Sequence, residues 1–448
     1  MSIEDNKSCL SLDVFLYALF SFLSFNSFPP NLWRGIDFLK KVMPPLKLFF
    51  VRGERINVVI DPLKALFYAV ITFFFILYLI IDLLKNQNIL RENIVFKMKL
   101  FLILFTVFIV VIIPTVCKIY IFPKFYAHDG GVLQVEEAVK FLLNGKNPYS
   151  QNYKDTILKF YSWGRYNPAL WFYVYLPGSF LISCPFYVIF NSLFGWYDQR
   201  VLYLLVFFLG FFILYRFTPK FTSRLNIFIL WGLNPFLVKW LQKGSIDVLV
   251  LFFVIGSLYF LKIKRFLWAG VFLGIALGIR QNVWFILPFY LVFLGFQYKE
   301  RKFSGDIFIN LLKRTWSMWL VVIVLFLPFL VWDFKGFISS VILYPSGKTN
   351  PTYPIGGTPG IGFGNVVLFL QKVKSIYSYF PFWIFQIMSI LLVVPLLINI
   401  QLRKNTLDIL ILNFAVISLV IFFFSRYFHI NHLGSIIFFL GLSLFIEE

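Results

Sequence analysis

Long apolar segments with almost no charged residue constrain the fold of this chain more than any other feature. The stretches 69–81 and 100–113 contain no Asp, Glu, Lys, Arg or His, and both lie within apolar segments of about the length that crosses a bilayer as a helix. In lipid, backbone groups must be paired within the segment, which favours helices. The segments lack the alternation of a membrane β-strand. The sequence therefore predicts an all-α polytopic transmembrane helical bundle.

The composition agrees with this prediction and argues against a nucleic-acid partner. Hydrophobic residues make up 60% of the 448 positions and charged residues 14%, against about 25% in soluble domains. The formal net charge is +21, but Lys and Arg lie mostly between the apolar runs. Cytoplasmic-loop bias and contact with anionic lipid headgroups explain this charge, so membrane lipids are the expected partner. The three cysteines form no metal or disulfide motif.

Candidate membrane spans cover most of the chain, and because several are short we predict about 11 to 13 of them. They are 10–27, 63–84, 98–117, 169–193, 200–216, 225–240, 245–261, 266–279, 282–297, 316–332, 379–400, 407–424 and 433–446. Residues 1–97 are expected to form an N-terminal extension with extra helices, and residues 98–448 the core domain.

Two large loops interrupt the spans: the first large loop, 118–168, and the second large loop, 333–379. Basic residues in 85–99 (Lys85, Arg91, Lys97 and Lys99), 298–314 and 401–405 place those segments in the cytoplasm, so both large loops are expected on the extracytoplasmic side of the cell membrane. The segment 28–62 is expected on the membrane surface. Basic segments at 217–224 and 262–265 conflict with simple alternation, which a broken helix at Asn234-Pro235 would repair.

The first large loop contains a predicted amphipathic helix at the membrane surface. Its apolar face has the spacing of a helix, and its other face is expected to be solvated. The apolar face consists of Val135, Ala138, Val139, Leu142 and Leu143, and the polar face of Gln134, Glu136, Glu137 and Lys140. Gly145 ends the helix, and Asn147-Pro148 begins an extended exit.

Asp129 precedes this helix and is followed by Gly130 and Gly131. One interpretation is a helix N-cap, since Asp is favoured there and its charge suits the helix dipole. The other is a general base at the membrane edge, within reach of an acceptor hydroxyl. The residues alone leave both interpretations open.

The order of these features resembles the GT-C superfamily of polytopic glycosyltransferases, which use polyprenyl-phosphate sugars. Within it, the chain is most similar to polyprenyl-phosphate-mannose-dependent α-mannosyltransferases of the glycosyltransferase family 87 type. Five segments within 98–445 carry the resemblance: HDGG (128–131), NGKNPYS (144–150), RYNPALWFYVYLPGSFLISCP (165–185), LNPFLVKWLQKGSIDVLVL (233–251) and AGVFLGIALGIRQNVWFILP (269–288).

The resemblance implies that Asp129 is the catalytic base of an inverting hexosyltransferase. Arg280 stands where the family usually has Lys, and either cation could hold a lipid phosphate. The implied substrates are a polyprenyl-phosphate sugar, with mannose as the expected hexose, and a glycolipid or glycan hydroxyl as acceptor. No cofactor is expected.

Other polar residues are candidates for donor-phosphate or substrate binding: His128, Lys243, Arg426, His429 and His432. Each also has a structural interpretation: snorkelling for Arg280, a local ion pair for Lys243 with Asp247, and interfacial capping for the histidines. Three histidines without a convergent carboxylate set do not predict a metal site. His429 and His432 are three residues apart, so a helix would place them together, and Arg426 is one turn away.

The second large loop is rich in Gly and Pro between Tyr344 and Asn365 and is predicted to be a mobile lid over a substrate cleft, or an ordinary flexible loop. Tyr344 and Tyr353 could stack on sugar rings, and Arg165 of the first large loop is a further candidate contact for the acceptor or the sugar.

Two other functions remain open at this point. A lipid-linked sugar flippase or transporter would require a polar pathway and paired halves, neither of which the sequence indicates clearly. A glycan polymerase or ligase would depend more on Arg and His of the large loops than on an Asp after the first core helix.

Overall fold

The computed structural model of the chain describes residues 10–28, 50–52, 57–59, 62–160, 167–296, 305–356 and 360–446. Helices dominate, and the predicted all-α polytopic fold is confirmed. Phe50–Arg52 and Asn57–Val59 form one short antiparallel pair, with Phe50 opposite Val59. Most of the segment 28–62 predicted on the membrane surface lies outside the described residues.

Several described helices are long and apolar enough to cross a bilayer, so this is a multi-pass membrane protein. Four are long and apolar enough by themselves: Leu63–Asn86, Glu92–Tyr120, Phe308–Trp332 and Phe382–Arg403. The pair Gly178–Phe194 and Gln199–Tyr215, bent by 116°, is either a broken span, which would be a fifth, or a re-entrant loop. Shorter apolar helices add Leu12–Phe25, Phe266–Ile279, Gln281–Gly295, Phe334–Leu343, Leu407–Phe423 and Ile430–Phe445. The count of 11 to 13 spans stays a prediction.

The chain divides into two compact units, and the first comprises residues 1–124 and 218–242. Its helices are Leu12–Phe25, Pro62–Asn86, Glu92–Val107, Ile113–Tyr120, Phe221–Gly232 and Pro235–Lys243, with the π-helical segment Phe108–Ile112 joining the third and fourth. Asn234 caps the last of these through its Oδ1, which accepts the N–H of Phe236 at 3.1 Å. The predicted helix break at Asn234-Pro235 is thus confirmed.

A buried ion cluster joins three helices of this first unit. The Lys99 ammonium lies 2.6 Å from Asp13 Oδ2 and 2.5 Å from Asp82 Oδ1. Tyr78 donates to Asp13 Oδ2 at 2.7 Å, and the Ser11 hydroxyl donates to Asp82 at 2.6 Å. Lys99, assigned to a cytoplasmic loop, is instead buried within the helix Glu92–Val107, because two carboxylates from neighbouring helices surround it. Its charge gives no information on orientation.

Replacement of Lys99 by Met is expected to destabilise the first unit by about 3–5 kcal/mol, because it leaves two buried carboxylates without their shared cation. Unfolding in detergent would measure this loss. Lys97→Met, at an exposed position two residues away, should change stability by less than about 0.5 kcal/mol. Adding Asp13→Asn and Asp82→Asn to Lys99→Met should recover most of the loss. A neutral Lys99→Met would contradict the ion-pairing argument.

The second unit comprises residues 125–217 and 243–448. Its α-helices are Val135–Leu143, Gly178–Phe194, Gln199–Tyr215, Asp247–Lys262, Phe266–Ile279, Leu287–Gly295, Gly305–Trp332, Phe334–Ile338, Phe363–Phe369, Phe382–Arg403, Leu407–Phe423 and Ile430–Phe445. Shorter 3₁₀ segments are Pro148–Ser150, Ile157–Phe160, Pro168–Leu170 and Gln281–Ile286, and the π-helical segments are Asp129–Gln134 and Ser339–Leu343. The helix Asp247–Lys262 packs between Gln199–Tyr215 and Phe266–Ile279.

The predicted amphipathic helix is present as Val135–Leu143. Val135, Ala138 and Val139 of its apolar face are buried and Leu143 is exposed, while part of its polar face is also inside the protein. Glu136 and Glu137, expected to be solvated, are buried. Glu136 Oε1 accepts the backbone N–H of Gln199 at 2.9 Å, and Glu137 pairs with Lys140 at 2.6 Å. The expectation failed because the start of the helix Gln199–Tyr215 offers an unpaired N–H that a carboxylate satisfies.

Candidate functional site

His128, and not Asp129, caps the helical segment that begins the first candidate motif. The His128 ring nitrogen Nδ1 accepts the N–H of Gly131 at 2.8 Å, while Asp129 is the first residue of the π-helical segment. The interpretation of Asp129 as N-cap is therefore wrong. A carboxylate that is not used for capping keeps its oxygens available for other chemistry.

The two glycines after Asp129 are required by close packing of the backbone. A Cβ at Gly130 would lie 2.7 Å from the Tyr175 hydroxyl, and one at Gly131 would lie 3.0 Å from the N atom of Ile246. The Gly131 carbonyl accepts the hydroxyl of Tyr203 at 2.5 Å, and the N–H of His128 donates to the Lys243 carbonyl at 2.7 Å. The backbone on both sides of Asp129 is thus fixed by bonds to other elements.

The Asp129 side chain is largely buried but reaches the surface, with an exposed fraction of 12%. Its Oδ1 lies 3.5 Å from His128 Nδ1. Because that nitrogen accepts the Gly131 N–H, it presents a lone pair and does not donate to the carboxylate. Burial lowers the pKa of His128 despite the nearby Asp129, and Arg280 and Lys243 lower it further. The ring is therefore neutral at neutral pH.

Arg280 follows directly on the helix Phe266–Ile279, in an extended conformation. Its Nη1 forms an ion pair with Asp247, and its Nη2 lies 2.8 Å from His432 Nε2. The other oxygen of Asp247 accepts the Ser245 hydroxyl at 2.6 Å and the Asn431 amide at 3.0 Å. Asp247 was expected to pair locally with Lys243, but its oxygens bind Arg280, Ser245 and Asn431. Arg280 is thus oriented by two other helices.

His429 and His432 come together at the start of the helix Ile430–Phe445, as their spacing predicted. The N–H of His429 donates to His432 Nδ1 at 3.3 Å, and the His429 ring accepts the Asn431 N–H at 3.4 Å. His432 also stacks on Phe422 at 4.2 Å. The capping interpretation is confirmed for both residues, while the Nε2 atom of His432 still faces Arg280.

Three tyrosines interact electrostatically with the charged groups: Tyr175, Tyr353 and Tyr427. Burial raises the pKa of Tyr353, the charge of Asp129 raises it further, and Arg280 lowers it. Asp129 likewise raises the pKa values of Tyr175 and Tyr427, and Arg280 lowers them. The backbone on both sides of Asp129 packs on Lys243 and Ile246, and Asp247 next to them pairs with Arg280, so the Asp129 carboxylate and the Arg280 guanidinium lie in the same region. Tyr175 and Tyr427 escaped the sequence analysis, although both lie in or next to motifs already singled out.

The remaining predicted residues fall into different environments. Tyr344 is buried, and its hydroxyl donates to the Pro168 carbonyl at 2.7 Å. Its ring packs edge-on against the Tyr353 ring, with 5.1 Å between the ring centroids, and so helps to hold that ring in place. Lys243 is exposed at the end of its helix. Arg165 lies outside the described residues.

Arg426 is buried, and its guanidinium donates to backbone carbonyls. Nε donates to Tyr353 O at 2.6 Å, and Nη2 donates to Ser378 O at 2.9 Å. Burial lowers the pKa of Arg426 to about 10, so it stays protonated at neutral pH. The residues 424–429 between the last two helices are not helical, so Arg426 does not lie one helical turn from His429.

Comparison with known proteins adds a partial similarity. No family model matches the chain. Among curated proteins, it is similar to GPI mannosyltransferase 1 of Kluyveromyces lactis, with 27% identity over 148 residues. That alignment covers 32% of this chain and 31% of the yeast protein, so the chain spans about a third of the length of the relative that it matches.

Proposed function

We propose that this multi-pass membrane protein is a glycosyltransferase of the GT-C superfamily, of the glycosyltransferase family 87 type. It moves a hexose, expected to be mannose, from a polyprenyl-phosphate sugar to a hydroxyl of a glycolipid or glycan. The similarity to a protein named as a mannosyltransferase supports the reaction class. The active site faces the extracytoplasmic side of the cell membrane in this proposal.

One observation carries the proposal: the backbone around Asp129 packs on residues 243–246, directly before the Asp247 carboxylate that pairs with Arg280, which brings a carboxylate without a capping role near an oriented arginine. Transfer from a lipid phosphate needs a base for the acceptor hydroxyl and a cation for the leaving phosphate. Asp129 and Arg280 supply these two groups. Tyr175, Tyr353 and Tyr427 offer ring faces and hydroxyls suited to a sugar.

In the proposed reaction, the Asp129 carboxylate removes the proton of an acceptor hydroxyl. The acceptor oxygen attacks the anomeric carbon, forming a new C–O bond while the bond between that carbon and the phosphate oxygen breaks. Attack opposite the leaving group inverts the anomeric configuration. Polyprenyl phosphate leaves with the electron pair, and Asp129 later loses the proton to solvent.

Arg280 is suited to bind the leaving phosphate. Its Nη2 lies 2.8 Å from His432 Nε2 and its Nη1 pairs with Asp247, so these two side chains hold the guanidinium in place. Its remaining N–H groups can donate to a phosphate oxygen. Charge-assisted hydrogen bonds of this kind stabilise an anion more strongly than neutral ones. The guanidinium has five N–H donors, so it can contact Asp247 and a phosphate at once.

The experiment that tests the proposal uses the purified protein in proteoliposomes with a radiolabelled polyprenyl-phosphate mannose. Acceptor-dependent release of polyprenyl phosphate, with the label in a glycolipid or glycan product, is expected. Movement of the intact labelled donor across the bilayer without transfer would overturn the proposal and favour a flippase. Joining of lipid-linked glycans without use of the monosaccharide donor would favour a polymerase or ligase.

A further inference from the structure

The segment Arg426–His429 forms the surface on which the second large loop lies. Gly356 donates its N–H to the Arg426 carbonyl at 2.9 Å, and Ile361 donates to the Phe428 carbonyl at 3.0 Å. Gly360 and His429 form an antiparallel bridge. The loop is thus attached by its backbone to the residues that precede the helix Ile430–Phe445.

The Arg426 side chain extends this attachment to a second stretch of the loop. Its exposed fraction is 4%, and its donors reach the carbonyls of Tyr353, Ser378 and Ile376 at 2.6, 2.9 and 3.4 Å. No carboxylate of the described residues lies within ion-pair distance of it. Burying a guanidinium without hydrogen-bond partners is costly. The carbonyls of Tyr353, Ile376 and Ser378 supply these partners, and the same bonds hold both stretches of the loop in place.

Gly347 shows how closely the loop encloses this guanidinium. Its φ is +80°, and a Cβ there would lie 2.9 Å from Arg426 Nε and closer still to Nη1. Nη1 has no hydrogen-bond acceptor among the described residues. It packs on Gly347, and it is the atom that a phosphate oxygen would bind if Arg426 were a ligand.

Tyr353 is the residue whose position depends most directly on Arg426. Its carbonyl accepts the shortest of the Arg426 hydrogen bonds, and its ring lies edge-on between Tyr344 and Tyr427 at 5.1 and 5.5 Å. From the geometry we infer that Arg426 is a positioning residue. It holds Tyr353 in place between Tyr344 and Tyr427 and does not bind the donor phosphate. This role of Arg426 in the active site rests on the proposed function.

Hydrogen exchange and donor kinetics together test the inference. In Arg426→Gln, amide exchange in 353–356 and 375–379 should rise about tenfold, as expected when local opening costs about 1.4 kcal/mol less. The kcat/KM for the sugar donor should fall about tenfold. Binding of undecaprenyl phosphate in nanodiscs should change less than twofold. Lys348→Gln, at an exposed neighbour of Gly347, is the matched control and should alter none of these.

The opposite pattern would overturn the inference: unchanged exchange with a loss of undecaprenyl phosphate binding above tenfold identifies Arg426 as a phosphate ligand. Unchanged exchange overturns it whatever the kinetics show. The exchange measurement needs no sugar transfer, so it separates failure of this inference from failure of the proposed function.

Two further variants keep the inference testable if Arg426→Gln does not fold. Gly347→Ala should displace the guanidinium and raise exchange in the same two stretches. Tyr353→Ala should lower kcat/KM without raising exchange in 375–379. If Arg426 acts through Tyr353, the kinetic losses of Gly347→Ala and Tyr353→Ala should not add in the double variant. Kinetic losses that add fully in the double variant would contradict an action of Arg426 through Tyr353.

Discussion

Asp129→Asn is expected to lower kcat by about 10²–10⁴-fold, which is the usual contribution of a positioned general base. The amide has nearly the shape of the carboxylate but cannot take the proton of the acceptor hydroxyl. The loss should appear in kcat, while the affinity for undecaprenyl phosphate stays within about twofold, because the phosphate is bound by Arg280. Release of polyprenyl phosphate from the labelled donor measures the first quantity, and nanodisc binding the second.

Two matched variants separate a chemical loss from a structural one. Asp155→Asn makes the same change at an exposed position of the same loop and should keep full turnover. Asp129→Glu retains the base but moves it by about 1 Å, which costs up to about 10²-fold when geometry is decisive. Because His128 provides the cap, Asp129→Asn should unfold at the same temperature as the parent protein. Full turnover by Asp129→Asn would eliminate the assigned role.

Arg280→Gln should reduce kcat/KM for the donor by about 10²–10³-fold, as for removal of one preorganised donor to a developing anion. The same variant should weaken binding of undecaprenyl phosphate. For Arg280→Lys, kcat/KM should lie between the values of Arg280→Gln and the parent protein. An ammonium keeps the charge but lacks the planar fork that spans Asp247 and His432. Initial rates at several donor concentrations measure the effect.

Loss of Arg280 also leaves Asp247 buried without its counter-ion, so stability and function must be separated. Arg280→Gln alone should lose about 3–5 kcal/mol of stability, and the addition of Asp247→Asn should restore most of it. If kcat/KM recovers together with stability in that double variant, Arg280 is a structural residue and not a phosphate ligand.

Features that depend on neighbours along the chain were predictable from the sequence. Apolar length predicted the helices, and the conflict between the basic loops and simple alternation suggested the break at Asn234-Pro235. The i, i+3, i+4 pattern predicted Val135–Leu143, and the spacing of His429 and His432 predicted their contact. The last two rest on interactions across about one helical turn, which the sequence shows directly.

Features that depend on which helices meet were not predictable. Arg280 pairs with Asp247, 33 residues away, although Lys243 was the nearer cation. Asp13 and Asp82 stand beside Lys99 only because three helices converge, so this cluster was missed entirely. The sequence predicted Gly178–Phe194 and Gln199–Tyr215 as two separate segments, 169–193 and 200–216, but it did not predict the 116° angle between them. One sequence without tertiary context cannot rank such partners.

The cluster around Lys99 also bears on how the chain enters the membrane. Synthesis proceeds from the N-terminus, so the two acidic helices emerge before the cation that both require. Asp13 lies in the first turn of Leu12–Phe25 and Asp82 near the end of Pro62–Asn86, so each carboxylate can reach the headgroup region until its partner arrives. Both helices can therefore insert by themselves, and the arrival of Lys99 allows the two carboxylates to be buried. This order couples burial of the cluster to insertion of the third helix.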